Sequence, residues 1–380
     1  MKQFNFDKFY EFRNLTLRPA YFAKWAMPSK NELNASRTRF LNENREVVWS
    51  IKEDGTDVAD HIEMSGFMAS AIISYGSDKN GKLLLMRHLT VPKLRMKPNL
   101  TGSSFSCNFS GTEKLSVNGQ KTEEYPETIS IKGNLKIQSE TNSTVSVTRE
   151  FLPAVRQPVL IEIVTVKNHS DKTIRLAICA EQECRKTAAW RCEGSSITAG
   201  CSLLFDDAFE ISQHRAKHLL LQPDEEVVYY RVYYAYQDNP IEVFSLKEEI
   251  NARKAFIDEM FSSLQLETPF PELDAQFSHC ILRGSESIFQ TKNGLMHAPG
   301  GGNYYAALWT NDQCEYANPF FPFSGYKAGI EQSINCYSLY EAYMDKSALP
   351  MQDKKALVTS IIAEGTAKCM PTAFQDFCLK

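Results

Sequence analysis

The chain has 380 residues, 43% hydrophobic and 23% charged, with a net charge of −4. Those values are ordinary for a soluble globular protein of two or three domains. The small net charge gives no support to a nucleic-acid or membrane-surface partner, and no run reaches the roughly 18 apolar residues of a membrane span.

The amino terminus, MKQFNFDKFYEFRNLTL, carries a charge every few residues and no apolar core. It is not a secretory signal, so the expected location is cytoplasmic, or exported with the signal absent from this chain. Tyr21, Phe22 and Trp25 suggest an early strand within residues 1–30. The ten cysteines have no regular spacing and form no CxxC pair. No metal site is expected, and free, mostly buried thiols are. Cys179, Cys184, Cys192 and Cys201 lie closer together and could pair in an exported protein.

From about 45 to 240 the pattern is β. Val47–Ile51 is a short apolar run, and Met68–Tyr75 and Lys82–His88 flank a turn cluster. Thr128–Ile137 and Thr144–Phe151 alternate apolar and polar residues, as half-buried strands do. Val159–Lys167 and Ile174–Ala180 flank another turn, and Val227–Tyr236 reads as a buried central strand. Many strands without interleaved helices predict a large antiparallel β-sandwich over 1–244.

The period then changes. Ser245 and Glu248 form a capping box, and Leu246, Ile250, Ile257, Phe261 and Leu264 follow at helical spacing. Residues 245–268 are therefore a helical linker, ended by Thr268-Pro269-Phe270-Pro271. Residues 269–380 form the last unit and read as helical. Leu273, Phe277, Ile281, Gly284 and Ile288 predict one helix, and a loop follows over about 292–309. A second capping box, Thr310 to Gln313, starts a helix at Asn311 that Pro319 and Pro322 kink or end. A third helix, about 327–345, carries Ile330, Ile334, Tyr337 and Tyr340, and a fourth spans about 351–362.

Residues 297–326 hold the densest chemistry. Aromatic rings stack on the C–H faces of sugars, and carboxylates and amides bind their hydroxyls. Asp312 falls in the first turn of its helix, where the dipole favours an ionised carboxylate. It suits a base or a hydroxyl ligand better than a proton donor; a plain helix-start aspartate is the structural alternative. Trp309, Asn311, Tyr304 and Tyr305 surround it in sequence. Glu315 lies three residues on, as support for the site or as an exposed residue, and His297 begins the loop. If helices alternate outer and inner in a barrel of hairpins, Glu364 falls on the same rim as Asp312 and is the second candidate carboxylate. An inverting glycosidase needs two such groups about 6.5–9.5 Å apart. No phosphate loop and no GxSxG elbow is present, and no cofactor is expected.

The order of parts, with Trp309-Thr310-Asn311-Asp312, resembles the six-hairpin glycosidases, whose super-sandwich precedes an (α/α)6 toroid. The segment is similar to the WTRD or WTGD segment of the glucoamylase-like and α-L-rhamnosidase-like clans. The resemblance implies multidomain β + α architecture and an inverting, exo-acting glycoside hydrolase of carbohydrate metabolism. It implies an oligosaccharide or glycoside substrate held by Trp309 and Asp312. Asn311 replaces the arginine of WTRD, and Tyr305 stands where the rhamnosidase pattern has glutamate, so the sugar stays open. About 110 residues follow Pro269, whereas twelve helices need on the order of 300. The expectation is an incomplete toroid with weak or no turnover alone. A non-catalytic carbohydrate-binding module and a glycoside phosphorylase are the alternatives.

Overall fold

The computed structural model describes residues 38–95, 104–180, 184–187, 196–211, 216–291, 293–298 and 312–341. Its centre is a nine-stranded antiparallel sheet. In spatial order the strands are Arg39–Leu41, Val47–Trp49, Glu124–Lys132, Asn134–Thr141, Val145–Pro153, Val159–Asn168, Glu226–Gln237, Ile197–Leu204 and Cys184–Lys186. Two four-stranded antiparallel sheets cover one face. One contains Val58–Ser65, Ser70–Ser77, Leu83–Arg95 and Ser104–Phe109; the other contains Ala216–Leu221, Ile174–Cys179, Lys114–Val117 and Gln120–Thr122. The predicted β-sandwich is thus present, with its second layer divided into two sheets.

Strand alternation explains the layering. In Val159–Asn168, Leu160 packs with the first four-stranded sheet, and Val164 and Val166 pack with the second. Val159 and Ile161 point the other way, into a cluster with Phe209, Val232, Tyr234 and Leu246. Both faces of the strand are covered, so its sequence is almost continuously apolar. Its neighbour Glu226–Gln237 follows the same rule: Tyr229 and Tyr233 face the small sheets, and Val232 and Tyr234 face the opposite cluster.

Three charged residues interrupt the inner face at neighbouring positions: Arg149, Glu162 and Arg231. Arg87 enters from the first small sheet and Glu113 from the approach to the second. All five side chains are buried. Glu162 accepts from Arg87 Nη2 through both oxygens at 2.7 and 2.8 Å, from Arg149 Nη1 at 2.6 Å and from the Tyr233 hydroxyl at 2.6 Å. Arg149 Nη2 reaches Glu113 at 2.8 Å, and its Nε reaches Glu124 at 2.9 Å. Arg231 Nη1 donates to the Gly111 carbonyl at 2.7 Å and to Glu113 at 3.2 Å. Three guanidiniums meet three carboxylates where the two small sheets adjoin, which balances the charge.

The span 128–137 is a hairpin, not the single strand its alternation predicts. Gly133 makes the turn with φ of +79° between Lys132 and Asn134. A left-handed φ is costly for any residue with a Cβ, and a Cβ here would also stand 2.7 Å from Ile257 Cδ1. Gly133→Ala is expected to lower stability by about 2–4 kcal/mol, combining the backbone and overpacking costs. Urea denaturation measures it; a loss under about 0.5 kcal/mol, the range of ordinary surface substitutions, would contradict the assignment.

Helix α1, Leu246–Ser263, starts as the capping box predicts. Ser245 Oγ accepts from Glu248 N at 3.2 Å. The reciprocal partner is Asp207, not Glu248. Its carboxylate accepts from Lys247 N at 2.7 Å and from Ser245 Oγ at 2.8 Å. Helix α2, Pro271–Ser285, has proline in its first turn, and Asp274 accepts from Thr268 N and Oγ1 at 3.2 and 2.8 Å. It ends earlier than predicted. Ile288 belongs to a β-hairpin, Ile288–Thr291 with Gly294–His297, where a helix end and a loop were expected. Gly294, with φ of +89°, turns it. Asp312 is helical, and the stretch continues as a π-helical turn, Gln313–Ala317, and then as α3, Asn318–Ser324. Pro319 lies in the first turn of α3, and Pro322 lies inside it. Helix α4 is Lys327–Glu341.

Of the four apolar residues predicted on α4, three face outward, and Tyr340 is half-buried against Met296 and Cys336. Ile330, Ile334 and Tyr337 are exposed, and the buried face carries Gly329, Gln332, Ser333 and Cys336. Two contacts explain the orientation: Gly329 lies directly against the Phe321 ring of α3, and Gln332 is needed inside (below). The cysteines also depart from expectation. Of seven free cysteines among the described residues, Cys201 and Cys336 are buried, and Cys184, Cys280 and Cys314 are exposed. The predicted early strand and the fourth helix lie outside the described residues.

Candidate sugar-binding site

The hairpin Gly294–His297 delivers His297 into the helices as the last residue of a strand, not the first of a loop. Its ring is buried, edge-on to Tyr316 at 6.3 Å between centroids and tilted against Phe321 at 6.0 Å. Two glutamines grip its backbone. Gln332 Oε1 of α4 accepts from His297 N at 3.2 Å. Gln313 Nε2 of the π turn donates to the His297 carbonyl at 3.1 Å and lies 2.9 Å from its Nδ1. Gln332 Nε2 continues the network to Asn318 Oδ1 at 3.1 Å and Ser333 Oγ at 2.9 Å. Burial pushes the His297 imidazole down to about 4, so the ring is neutral at physiological pH.

Asp312 directly precedes Gln313 in the chain, half-buried and helical at φ −59°, ψ −40°. Its carboxylate lies close enough to the hydroxyl of Tyr316, one turn further on, to act on it electrostatically. The Tyr316 ring is 53% exposed. Burial of its hydroxyl and the adjoining Asp312 carboxylate push that hydroxyl up to about 12. A carboxylate fixed beside an accessible aromatic face can bind a hydroxyl and stack a C–H surface together. Glu315 is exposed on the same turn.

The structure brings His297, Asp312 and Glu315 onto adjoining elements. Tyr304, Tyr305, Trp309, Asn311 and Glu364 lie outside the described residues. Sequence reasoning missed Gln313, Gln332 and Tyr316. Gln313 was assigned to a capping box with Thr310, which lies outside the described residues; its amide nitrogen serves His297. The available signal was two glutamines on opposite sides of an aromatic-rich helix. Among the described residues, no group of three His, Cys, Asp or Glu side chains is placed to hold a metal ion. Among the same residues, no helix is long and apolar enough to cross a membrane.

No protein-family model matches the chain, and no curated protein does. Among solved structures, one described as "Putative kojibiose phosphorylase from human microbiome" is similar at 10% identity and a TM-score of 0.48. The match covers 80% of this chain and 50% of that one. The chain therefore spans about half the length of the structure it matches.

Proposed function

We propose that the protein is a carbohydrate-active enzyme of the glycoside hydrolase type, acting on O-glycosidic bonds of oligosaccharides. The observation that carries this reading is a half-buried carboxylate, Asp312, one turn from the exposed ring of Tyr316, on the turn whose Gln313 bonds a buried histidine. In this reading Asp312 binds sugar hydroxyls or acts as a base. Trp309, Tyr304, Tyr305 and Asn311, which precede it in sequence, complete the sugar surface. Glu364 is the proposed second carboxylate, and inversion with exo action is the proposed mode. The proposed division is a sandwich over 1–244, a linker over 245–268 and a toroid-type helical unit over 269–380.

Calorimetric titration with a panel of oligosaccharides tests it. Asp312→Asn is expected to weaken binding of the best ligand about tenfold to a hundredfold, the worth of a hydrogen bond to a charged group. Tyr316→Ala is expected to weaken it as well, by about 1–2 kcal/mol of lost stacking. Binding that survives both substitutions unchanged would move the sugar site elsewhere, to the sandwich. Cleavage that requires inorganic phosphate would replace hydrolysis with phosphorolysis.

A further inference from the structure

We infer that Gln313 fixes His297 in the neutral Nε2–H tautomer, which makes His297 a permanent hydrogen-bond donor and not a proton carrier. Gln313 is thus a positioning residue for the ring.

The argument rests on which atoms can donate. One amide group of Gln313 touches both the carbonyl oxygen and Nδ1 of His297, at 3.1 and 2.9 Å. A carbonyl oxygen only accepts, so the touching atom must be the amide nitrogen. That nitrogen has two hydrogens, one for each acceptor. Nδ1 must therefore present its lone pair, and a neutral imidazole with a bare Nδ1 carries its proton on Nε2. Protonating the ring would place an N–H at Nδ1 against the N–H of Gln313. This repulsion acts in the same direction as burial.

The backbone makes the arrangement rigid. Gln332 Oε1 holds the N–H of His297 while Gln313 holds its C=O, so the residue is pinned at both ends from two elements. Gln332 cannot be turned over, because the His297 N–H demands its oxygen. Its own amide nitrogen then demands the oxygen of Asn318. The π turn supplies the register. Asn318 N bonds to the Gln313 carbonyl five residues back, so the two amides lie on one face of the wider turn. Ordinary α geometry would align Gln313 with Ala317 instead.

Among the described residues, the other groups around the ring leave the tautomer to Gln313. Tyr316 of the π turn and Phe321 of α3 meet it through their rings, and α4 presents Gln332 and Ser333. Asp312 precedes the π turn and Glu315 lies on it, and Cys336 and Tyr340 lie further along α4; burial is the cause of the downward shift. The chemical consequence concerns the sugar site proposed above. With its proton fixed on Nε2 and its Nδ1 occupied by Gln313, His297 would not relay protons there, and acid–base steps would fall to carboxylates.

The test needs no saccharide, so it stands or falls separately from the proposed function. The full chain is labelled with 15N-histidine, and the His297 signal is identified as the one lost in His297→Asn. At neutral pH, the expected spectrum has Nδ1 unprotonated and Nε2 protonated, with titration near pH 4. In Gln313→Glu, a carboxylate of the same shape accepts from Nδ1–H. The tautomer should reverse, and the titration should rise above its ordinary value of about 6.5. Protonated Nδ1 in the unaltered protein would overturn the inference on its own, without any variant. A Gln313→Glu protein that keeps the original tautomer and titration would overturn it too.

Discussion

Glu162→Ala is expected to destabilise the protein by roughly 3–5 kcal/mol, the cost of stranding a buried partner charge. The carboxylate takes both oxygens' worth of Arg87, one nitrogen of Arg149 and the hydroxyl of Tyr233. Without it, two guanidiniums with no exposed surface lose their shared anion. Arg87 Nε already has no hydrogen-bond partner, so the site has little spare capacity. Glu162→Gln keeps the shape but removes the charge, and should cost less than the alanine. Urea denaturation followed through tyrosine fluorescence and circular dichroism gives both values. A loss below about 1 kcal/mol for the alanine would mean that water enters and solvates the cluster, contrary to its burial.

The same cluster sets an acid limit. Burial alone would raise the carboxyls of Glu113 and Glu162. The guanidiniums outweigh it, Arg149 and Arg231 for Glu113 and Arg87 and Arg149 for Glu162, and hold both below the ordinary value of 4.5. A carboxylate whose folded value is depressed releases its proton more readily in the native state. Its stabilisation is complete above the unfolded value and is lost as pH falls toward the folded one. Stability should therefore be flat above about pH 5 and fall progressively below it. Removing Glu162 should flatten that fall. Unfolding midpoints from pH 3 to 7 measure the slope in both proteins.

Why the strands were legible and this cluster was not follows from the same residues. Val159–Lys167 reads as strand because β-branched residues dominate it, and Val227–Tyr236 because it is apolar and aromatic on both faces. Pattern reading needs only the period. It cannot tell whether Glu162, one charge in an apolar run, faces solvent or three cations, because its partners lie 13 and 75 residues away. Local spacing also says nothing of distant partners. Gln313 reads as the fourth residue of a capping box, and nothing in that spacing points to the histidine 16 residues earlier that its amide meets. The apolar residues Ile330, Ile334 and Tyr337 of α4 were legible at helical spacing, but spacing does not say which face is buried, and these three are exposed. The inward side of α4 is chosen by Gly329 against Phe321 and by Gln332 holding His297. Asp312 was legible as a helical carboxylate, whereas the nearness of the Tyr316 hydroxyl one turn on was not singled out.

Arg253→Ala is expected to release the helices from the sandwich, at a cost of roughly 3–5 kcal/mol for a buried, paired cation. Arg253 of α1 is fully buried and bonded on every side. Its Nη1 donates to the Ser65 carbonyl at 3.0 Å, and its Nε donates to Asn134 Oδ1 at 3.1 Å. Its Nη2 reaches the Gly133 carbonyl at 3.4 Å and the Glu286 carboxylate after α2. One side chain thus ties two sandwich turns to two helical elements. Arg283 repeats the link, bonding Gly133 O and Glu286, so Glu286 keeps one partner when Arg253 is lost. The damage should therefore be directional: the carboxylate stays paired, while Ser65 O and Asn134 lose a donor. Hydrogen exchange separates the outcomes. Amides of α1 and α2 should lose protection by about two orders of magnitude or more, each 1.4 kcal/mol being tenfold. Amides in Val159–Asn168 and Glu226–Gln237 should keep theirs, because the apolar clusters on both sides of those strands are mostly built without Arg253. Equal loss in strands and helices would show instead that sandwich and helices unfold as one cooperative unit. In that case the Gly133 turn holds the two parts together even without the guanidinium.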